Sequence, residues 1–305
     1  MTFAAPFAAT PSLDQVFAST TLPGLPQSAI SLTQLSQNPD AGPPQFARVV
    51  EADPGLMGQV LRFANSAYFG FSREITSVQQ VLTLVGTRAI TNFALWNAVF
   101  TVIPNPQFGP FDLRSLWQDS LRRALLARHL GKALKLPAAD DLFAAALLQD
   151  MAIPILLKEL PAHYADLLNR RDTESIRLSQ LEQQSFGWNH GEAAALLAKK
   201  WHLPETLSDL IRHHTELDHW LGAGPKARPQ ACVALCSCLP SCKDASWAEQ
   251  ELFVSGFARL EGSDSIDLRT LLANVDEDAA EFAPLMRLPI PVHSLCSILY
   301  PASDR

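Results

Sequence analysis

Apolar residues recur along this chain at three- and four-residue spacings, the pattern of helices that bury one stripe, while the strict alternation that strands need is scarce. The segments PPQFARVVEA (43–52), PGLMGQVLRFA (54–64) and SVQQVLTLVGTRAITNFALWNAVF (77–100) carry that spacing and open on Pro or Ser, which start helices. They predict a first helical block. The run IPNPQFGPFD (103–112), rich in Pro and Gly, breaks the pattern and predicts a boundary. Beyond it, LRSLWQDSLRRALLARHLGKAL and DDLFAAALLQDMAIPILLKEL predict two long helices, the second interrupted or kinked by Pro154, which cannot donate to the helical ladder. SIRLSQLEQQSF follows; Asn189, three residues before Glu192, resembles a capping box opening HGEAAALLAKKW, and Pro204 starts ETLSDLIRHH. PQACVALCSCL, ASWAEQELFVSGFARL and IDLRTLLANV predict shorter helices after residue 225, with no fixed-period repeat. With no Asn-Gly or Asp-Gly hairpin turns, the expected fold class is all-α throughout.

Composition narrows the functional classes. With 305 residues, 48% hydrophobic and 18% charged, the chain can bury the core of one large domain or two ordinary ones. A formal net charge of -7 and a pI near 5.6 disfavour the phosphate neutralisation on which nucleic-acid binding depends. The opening MTFAAPFAATPSLDQVF lacks a basic leader, and no apolar run is long enough to span a bilayer. The expectation is a cytoplasmic protein with neither nucleic acid nor membrane as partner. Cys232, Cys236, Cys238 and Cys242 lie close together, spaced CxxxC, CxC and CxxxC, with Cys296 apart. These spacings differ from the CxxC knuckles of structural zinc sites; reduced cysteines packing a helix is the plain reading, and a thiol cluster for metal or redox sensing is the alternative.

In the stretch AAALLQDMAIP (144–154) an amide and a carboxylate, Gln149 and Asp150, interrupt an apolar helix. A buried carboxylate is costly unless paired or bound to a cation, so the pair predicts either a functional pocket or a specific partner. His190, at a helix start, and His213 and His214, ending a short helix, could join Asp150 from separate helices. Imidazole and carboxylate groups so gathered can hold a divalent cation that activates water against a phosphodiester. The bland alternatives are a helix-dipole partner for the His pair and a buried hydrogen-bond network. For Asn65 and Ser66 the plain reading is a helix C-terminal cap, with Asn tolerating left-handed geometry, and the functional one is a joint between helical blocks.

The run LPGLPQSAISLTQLSQNPDAGPPQFARVVEADPGLMGQVLRFANSAYFGFSREITSVQQVLTLVGTRAITNFAL resembles the N-terminal half of the HDOD family, with its LPxLP opening, DPxL step, NSAxFG element and Ile-Thr-Ser turn. The likeness continues through LWQDSL, LLQD, FGWNHGEAA, LAKKWHLPETL and IRHH. It implies a multi-helix, HD-phosphohydrolase-like fold. The division expected is an N-terminal tail at 1–19, an HDOD domain at 20–220 with blocks at 20–103 and 112–220, and a C-terminal helical extension at 221–305 packed on the domain. Where metal-binding relatives read HDxGK this chain has Gln149, Asp150, Met151, Ala152 and Ile153; where many have LWxHS, Asp119 replaces the His. A histidine, a second histidine and a lysine have therefore changed.

Asp119, Gln149, Asp150, His190, His213 and His214 are thus implied as vestigial site positions. No catalytic residue, cofactor or bound metal is expected, although Asp119 could supply an oxygen ligand to magnesium or manganese. The resemblance implies a non-catalytic bacterial signalling protein acting through a protein partner or a small regulatory ligand, in two-component or cyclic di-GMP signalling. With no receiver, GGDEF or EAL segment in the sequence, any such output is expected from the partner. The alternative is a divergent phosphohydrolase acting on a nucleotide, with Asp119, Asp150, His190, His213 and His214 around the ion. In the extension, the acidic stretch NVDEDAAEFAP is expected to end a helix on a solvated face.

Overall fold

A computed structural model describes residues 11–301, apart from Thr21, Pro23, Phe108, Pro110, Ala138, Ser175 and Ala245. Among the described residues the regular structure is entirely helical. The N-terminal block comprises α1 (Leu13–Ser19), α2 (Gln27–Gln37), α3 (Pro43–Glu51), α4 (Pro54–Ala64), α5 (Val78–Leu84) and α6 (Thr87–Val102). The central block holds α7 (Leu113–Ala133), α8 (Ala139–Leu148), α9 (Ile153–Glu159), α10 (Pro161–Glu174), α11 (Leu178–Phe186), α12 (His190–Lys200) and α13 (Glu205–Arg212). Then come α14 (Leu217–Leu221), α15 (Arg228–Cys236), α16 (Gln250–Arg259), α17 (Leu268–Leu285) and α18 (Leu295–Leu299).

Helix α7 is the spine of the molecule. It packs along α8 and is flanked by α15 and α17 from the C-terminal region, while α6 joins the N-terminal block to α8. Trp117, Leu121, Leu125, Leu126 and Leu130 of α7 are buried, and each such side chain contributes ~1.5–3 kcal/mol on leaving water. Gln118, Asp119 and Arg122 are buried on the same helix, so it has polar groups inside the protein that need partners.

Several expectations are corrected by local chemistry. Within the stretch expected as an N-terminal tail, residues 1–10 lie outside the described residues, but 13–19 form α1. A Ser12–Gln15 capping box starts that helix, and Val16 and Phe17 are buried. The helix expected over 77–100 is two, because Gly86 takes φ +99°, a conformation side chains resist. Asn65 caps α4 at φ −86° and is not left-handed; its side-chain amide exchanges two hydrogen bonds with the backbone of Ile75, donating at 2.8 Å and accepting at 2.7 Å. The acidic stretch 274–284 forms the last turns of α17, which stops at Leu285, as expected of a helix end, but it does not lie wholly on a solvated face. Asp276 accepts from the Ser294 hydroxyl and the Leu295 and Cys296 N–H groups, and Asp278 contacts His129 Nε2 at 2.7 Å. These carboxylates tie α17 to α18 and to α7.

The break near Pro154 matters most for function. Helix α8 stops at Leu148, residues 149–152 turn, and Pro154 enters the first turn of α9, where its missing N–H costs nothing. Gln149 and Asp150 therefore sit in a buried turn rather than inside one helix.

Candidate functional site

Asp150 is the hub of a buried cluster assembled from separate elements. Asn189 caps α12, its Oδ1 accepting from Gly191 N–H at 2.9 Å and Glu192 N–H at 3.2 Å, and so fixes His190 at the helix start. His214 follows the end of α13. The close approach of α12 to α13 depends on Gly191, where an added Cβ would lie 2.7 Å from the Arg212 carbonyl oxygen and 3.2 Å from His214 Cε1. Asp150 Oδ1 lies 3.4 Å from His190 Nε2 and 3.5 Å from His214 Nε2, and the two Nε2 atoms are 3.1 Å apart.

The partners on the far side of each ring decide the tautomers. His190 Nδ1 faces Glu182 Oε2 at 2.6 Å, and His214 Nδ1 faces the Ile211 carbonyl at 2.7 Å. Carboxylate and carbonyl only accept, so both Nδ1 atoms carry hydrogen and both Nε2 atoms face inward. Glu182 also accepts from the His190 backbone N–H at 2.8 Å and from the Tyr164 hydroxyl at 2.7 Å, linking α10, α11 and α12. Burial pulls the His190 pKa down, but the Glu182 and Asp150 carboxylates outweigh it and hold His190 at about 9. It is therefore an imidazolium at neutral pH. Burial depresses His214, which stays neutral and accepts.

Arg123, four residues after Asp119 on α7, closes the other side. Its Nη1 donates to Asp150 Oδ2. Burial works to raise the Asp150 pKa, yet Arg123 and the hydrogen bond from the His190 imidazolium hold it well below the ordinary carboxylate range. Gln149 Nε2 donates weakly to Asp150 Oδ2 at 3.4 Å, whereas its buried Oε1 accepts from no protein donor among the described residues.

Of the sequence-derived positions, the structure brings Gln149, Asp150, His190 and His214 together and leaves two outside. Asp119 accepts from the Ser241 hydroxyl at 2.5 Å and from the Cys242 N–H at 2.7 Å. Burial raises its pKa, against the pull of Arg123 and those two donors. It clasps the 237–249 segment between α15 and α16, so it does not offer its oxygens to the Asp150 cluster. His213 turns outward to Glu216 Oε1 at 3.0 Å, with its ring edge-on to Trp220. The sequence reading missed Glu182 and Arg123. Their signal was a charge in the middle of an apolar stripe, in SQLEQQSF and SLRRALLAR, which a solvated helix face imitates.

A cavity of about 560 Å³ opens over the cluster. Gln149, Asp150, His190 and His214 line it together with Arg171 and Arg177. The described residues of the 237–249 segment roof it, held by Asp119, by Arg171 Nη2 to Asp244 at 2.8 Å and by Arg177 Nε to Glu249 at 2.6 Å. The volume is that of a small-ligand site. The cysteines take no part in the cluster. Cys232, Cys236 and Cys238 are buried and free, and burial pushes Cys232 up to about 12 and Cys238 to about 11. The one group of potential metal ligands gathered among the described residues is Asp150, His190 and His214.

Whether that group suits a divalent cation is decided by charge as well as spacing. The ligand atoms lie within 4.8 Å of one another, and Glu182 backs His190 as carboxylates back metal-bound histidines. However, the Asp150 charge is already matched by Arg123. A divalent ion and a guanidinium about 5 Å apart repel by ~7 kcal/mol at an effective dielectric of ~20. No further anionic ligand compensates, since position 149 is an amide and Asp119 is engaged. The residues present do not fit a resident divalent metal.

The HDOD domain profile matches residues 22–217. A protein of Treponema pallidum (strain Nichols), itself of uncharacterised function, is 25% identical over 199 residues, which is 65% of this chain and 38% of that protein. This chain thus spans well under half the length of that curated relative. Among solved structures, an HDOD domain protein of unknown function from Geobacter sulfurreducens superposes with a TM-score of 0.67 at 20% identity, covering 95% of this chain and 98% of that one. A candidate signal transduction protein from Marinobacter aquaeolei VT8 superposes at 0.67 and 22% identity, over 92% of this chain and 63% of that one. At such identities the structures establish a shared fold.

Proposed function

The chain belongs to the HDOD domain family, and from that premise we propose that it is a non-catalytic regulatory module that binds a small ligand or a protein partner and passes a conformational state onward. One observation carries this reading: both oxygens of Asp119 are engaged by Ser241 and Cys242 of the cavity roof. A position that could have served a water-activating centre instead fastens a segment over a ligand-sized cavity. Occupancy of the cavity and closure of the roof are then linked, because the same residues line one and hold the other. A ligand acts in such a device only through its different affinity for the closed and open states. The name of the Marinobacter aquaeolei neighbour, a signal transduction protein, agrees with this reading. A signalling partner, two-component or cyclic di-GMP in kind, would receive the output in the bacterial cytoplasm.

The second reading is a divergent metal-dependent phosphohydrolase acting on a nucleotide. It is favoured by the convergence of Asp150, His190 and His214. One assay separates the two. The purified chain is incubated with Mg²⁺, Mn²⁺ or Zn²⁺ and with bis(p-nitrophenyl) phosphate or cyclic dinucleotides, beside an Asp150→Ala control. Equal background in both proteins is expected, together with a ligand-dependent change in hydrogen exchange over 237–249. Turnover that disappears in the control overturns the non-catalytic reading.

A further inference from the structure

The Asp150 cluster keeps the form of a metal site in more detail than a hydrogen-bond network requires. Two ligands at ~2.1 Å from an ion in tetrahedral arrangement stand ~3.4 Å apart. The three separations here are 3.1, 3.4 and 3.5 Å. Both imidazoles are held by their outward Nδ1 bonds, so the inward Nε2 atoms are already aimed to ligate, and His190 has only to release its Nε2 proton to solvent when a cation enters. The cavity adjoining Asp150, His190 and His214 leaves space for the water that would complete a coordination shell. Against this stands one protein group, the Arg123 guanidinium on Asp150 Oδ2, buried to 14% side-chain exposure.

We propose that Arg123 is the resident cation of this site, taking the place of a metal ion, and that removing its guanidinium converts the cluster into a divalent-cation site of two imidazoles and one carboxylate. The inference rests on the non-catalytic reading of the same site. Two imidazole nitrogens with one carboxylate oxygen suit zinc and cobalt better than magnesium, which prefers an all-oxygen shell. Substitution by an uncharged side chain leaves the Asp150 carboxylate without its Arg123 partner while its two imidazole contacts remain. That unbalanced negative charge is what a cation then matches.

The test compares the wild-type chain with Arg123→Met and Arg123→Gln, each stripped with chelator and titrated with Co²⁺ and Zn²⁺. Binding is read by cobalt visible absorption, by metal per chain in elemental mass spectrometry and by thermal melting. Either variant is expected to bind one equivalent at least ~100-fold more tightly than wild type, the electrostatic penalty having gone. The gain should vanish when His214→Ala is added. If a variant is unfolded without metal, Zn²⁺ should restore its melting transition, and failure to restore it overturns the inference. Wild-type protein that holds one equivalent, lost in Asp150→Ala, overturns it too, as does a folded variant that binds no better than wild type. A wild type without turnover and a variant without metal would sink this inference while leaving the non-catalytic reading standing.

Discussion

Gly191 makes the site possible by leaving room, and replacing it tests how the histidines are positioned. An alanine Cβ at 191 would lie 2.7 Å from the Arg212 carbonyl oxygen, 3.0 Å from Asn189 Oδ1 and 3.2 Å from His214 Cε1. None of these can swing aside, because the first is backbone, the second is the α12 cap and the third is a ring held at both nitrogens. Helix α13 must retreat from α12 by roughly half an ångström or more to restore ordinary contact. Overpacking of this kind costs ~1–3 kcal/mol, offset by the ~0.5–1 kcal/mol that Gly→Ala gains in a helix. The net loss of ~1–2 kcal/mol should lower Tm by roughly 1.5–3 °C for a chain of this size. Gly58 in α4 is the control, since its added Cβ would meet nothing closer than Arg62 Nη1 at 3.5 Å. Gly58→Ala should therefore raise Tm slightly. Thermal melts of the two variants are expected to move in opposite directions, and Gly191→Ala matching or exceeding Gly58→Ala would refute the packing argument.

Three further outcomes follow from the charges and thiols. His190 titrates at about 9 in the folded chain against 6.5 ordinarily, so the native state binds this proton more tightly. Its contribution, ~3 kcal/mol, is complete below ~6.5 and is lost as pH rises to ~9. Urea unfolding across that window should lose stability in wild type and much less in His190→Gln; identical slopes would contradict the assignment. Asp119→Ala removes two hydrogen bonds to a carboxylate, each of the kind worth ~1.5–3 kcal/mol, and should speed hydrogen exchange in 237–249 by ~10-fold or more with α2–α5 unchanged. Unaltered exchange in the roof would show that Arg171 and Arg177 suffice to hold it. Thiol labelling of the native chain should modify Cys296 first and Cys242 more slowly. Peptide mapping that found label on Cys232, Cys236 or Cys238 before unfolding would contradict their burial.

Periodicity was a good guide wherever one helical face decides the outcome, as in α3, α4, α7 and α12. It failed where a single backbone event intervened: the positive φ of Gly86 divides one long apolar pattern into α5 and α6, and the turn at 149–152 ends α8 before Pro154 is reached. The site was legible as a set of residue types but not as a set of contacts. Asp150, His190 and His214 are named by the family resemblance, yet nothing in a linear pattern tells that His213 points out while its neighbour points in. Buried charges were the hardest to see, because Arg123 and Glu182 sit in helices whose spacing reads the same whether the charge meets water or a partner.

Their placement makes the departures from the family pattern intelligible as a group. Asp150 and Glu182 bring two negative charges into the interior, and Arg123 with the His190 imidazolium brings two positive ones, so the cluster is balanced without an external ion. A neutral Gln149 keeps that balance, whereas another imidazole beside Asp150 would supply one more ligand or one more proton. With position 119 no longer an imidazole, its carboxylate can accept from the roof and lie near Arg123, so the same substitution fastens the cavity and helps hold the cation in place. Restoring histidine at 119 alone should therefore loosen the roof without rebuilding a centre, since the Arg123 charge would remain on Asp150. Restoring it together with Arg123→Met addresses both. The single variant should show fast exchange in 237–249 and no bound zinc, and the double should bind zinc; a single variant that binds zinc would refute the idea that the Arg123 charge is what keeps a metal out.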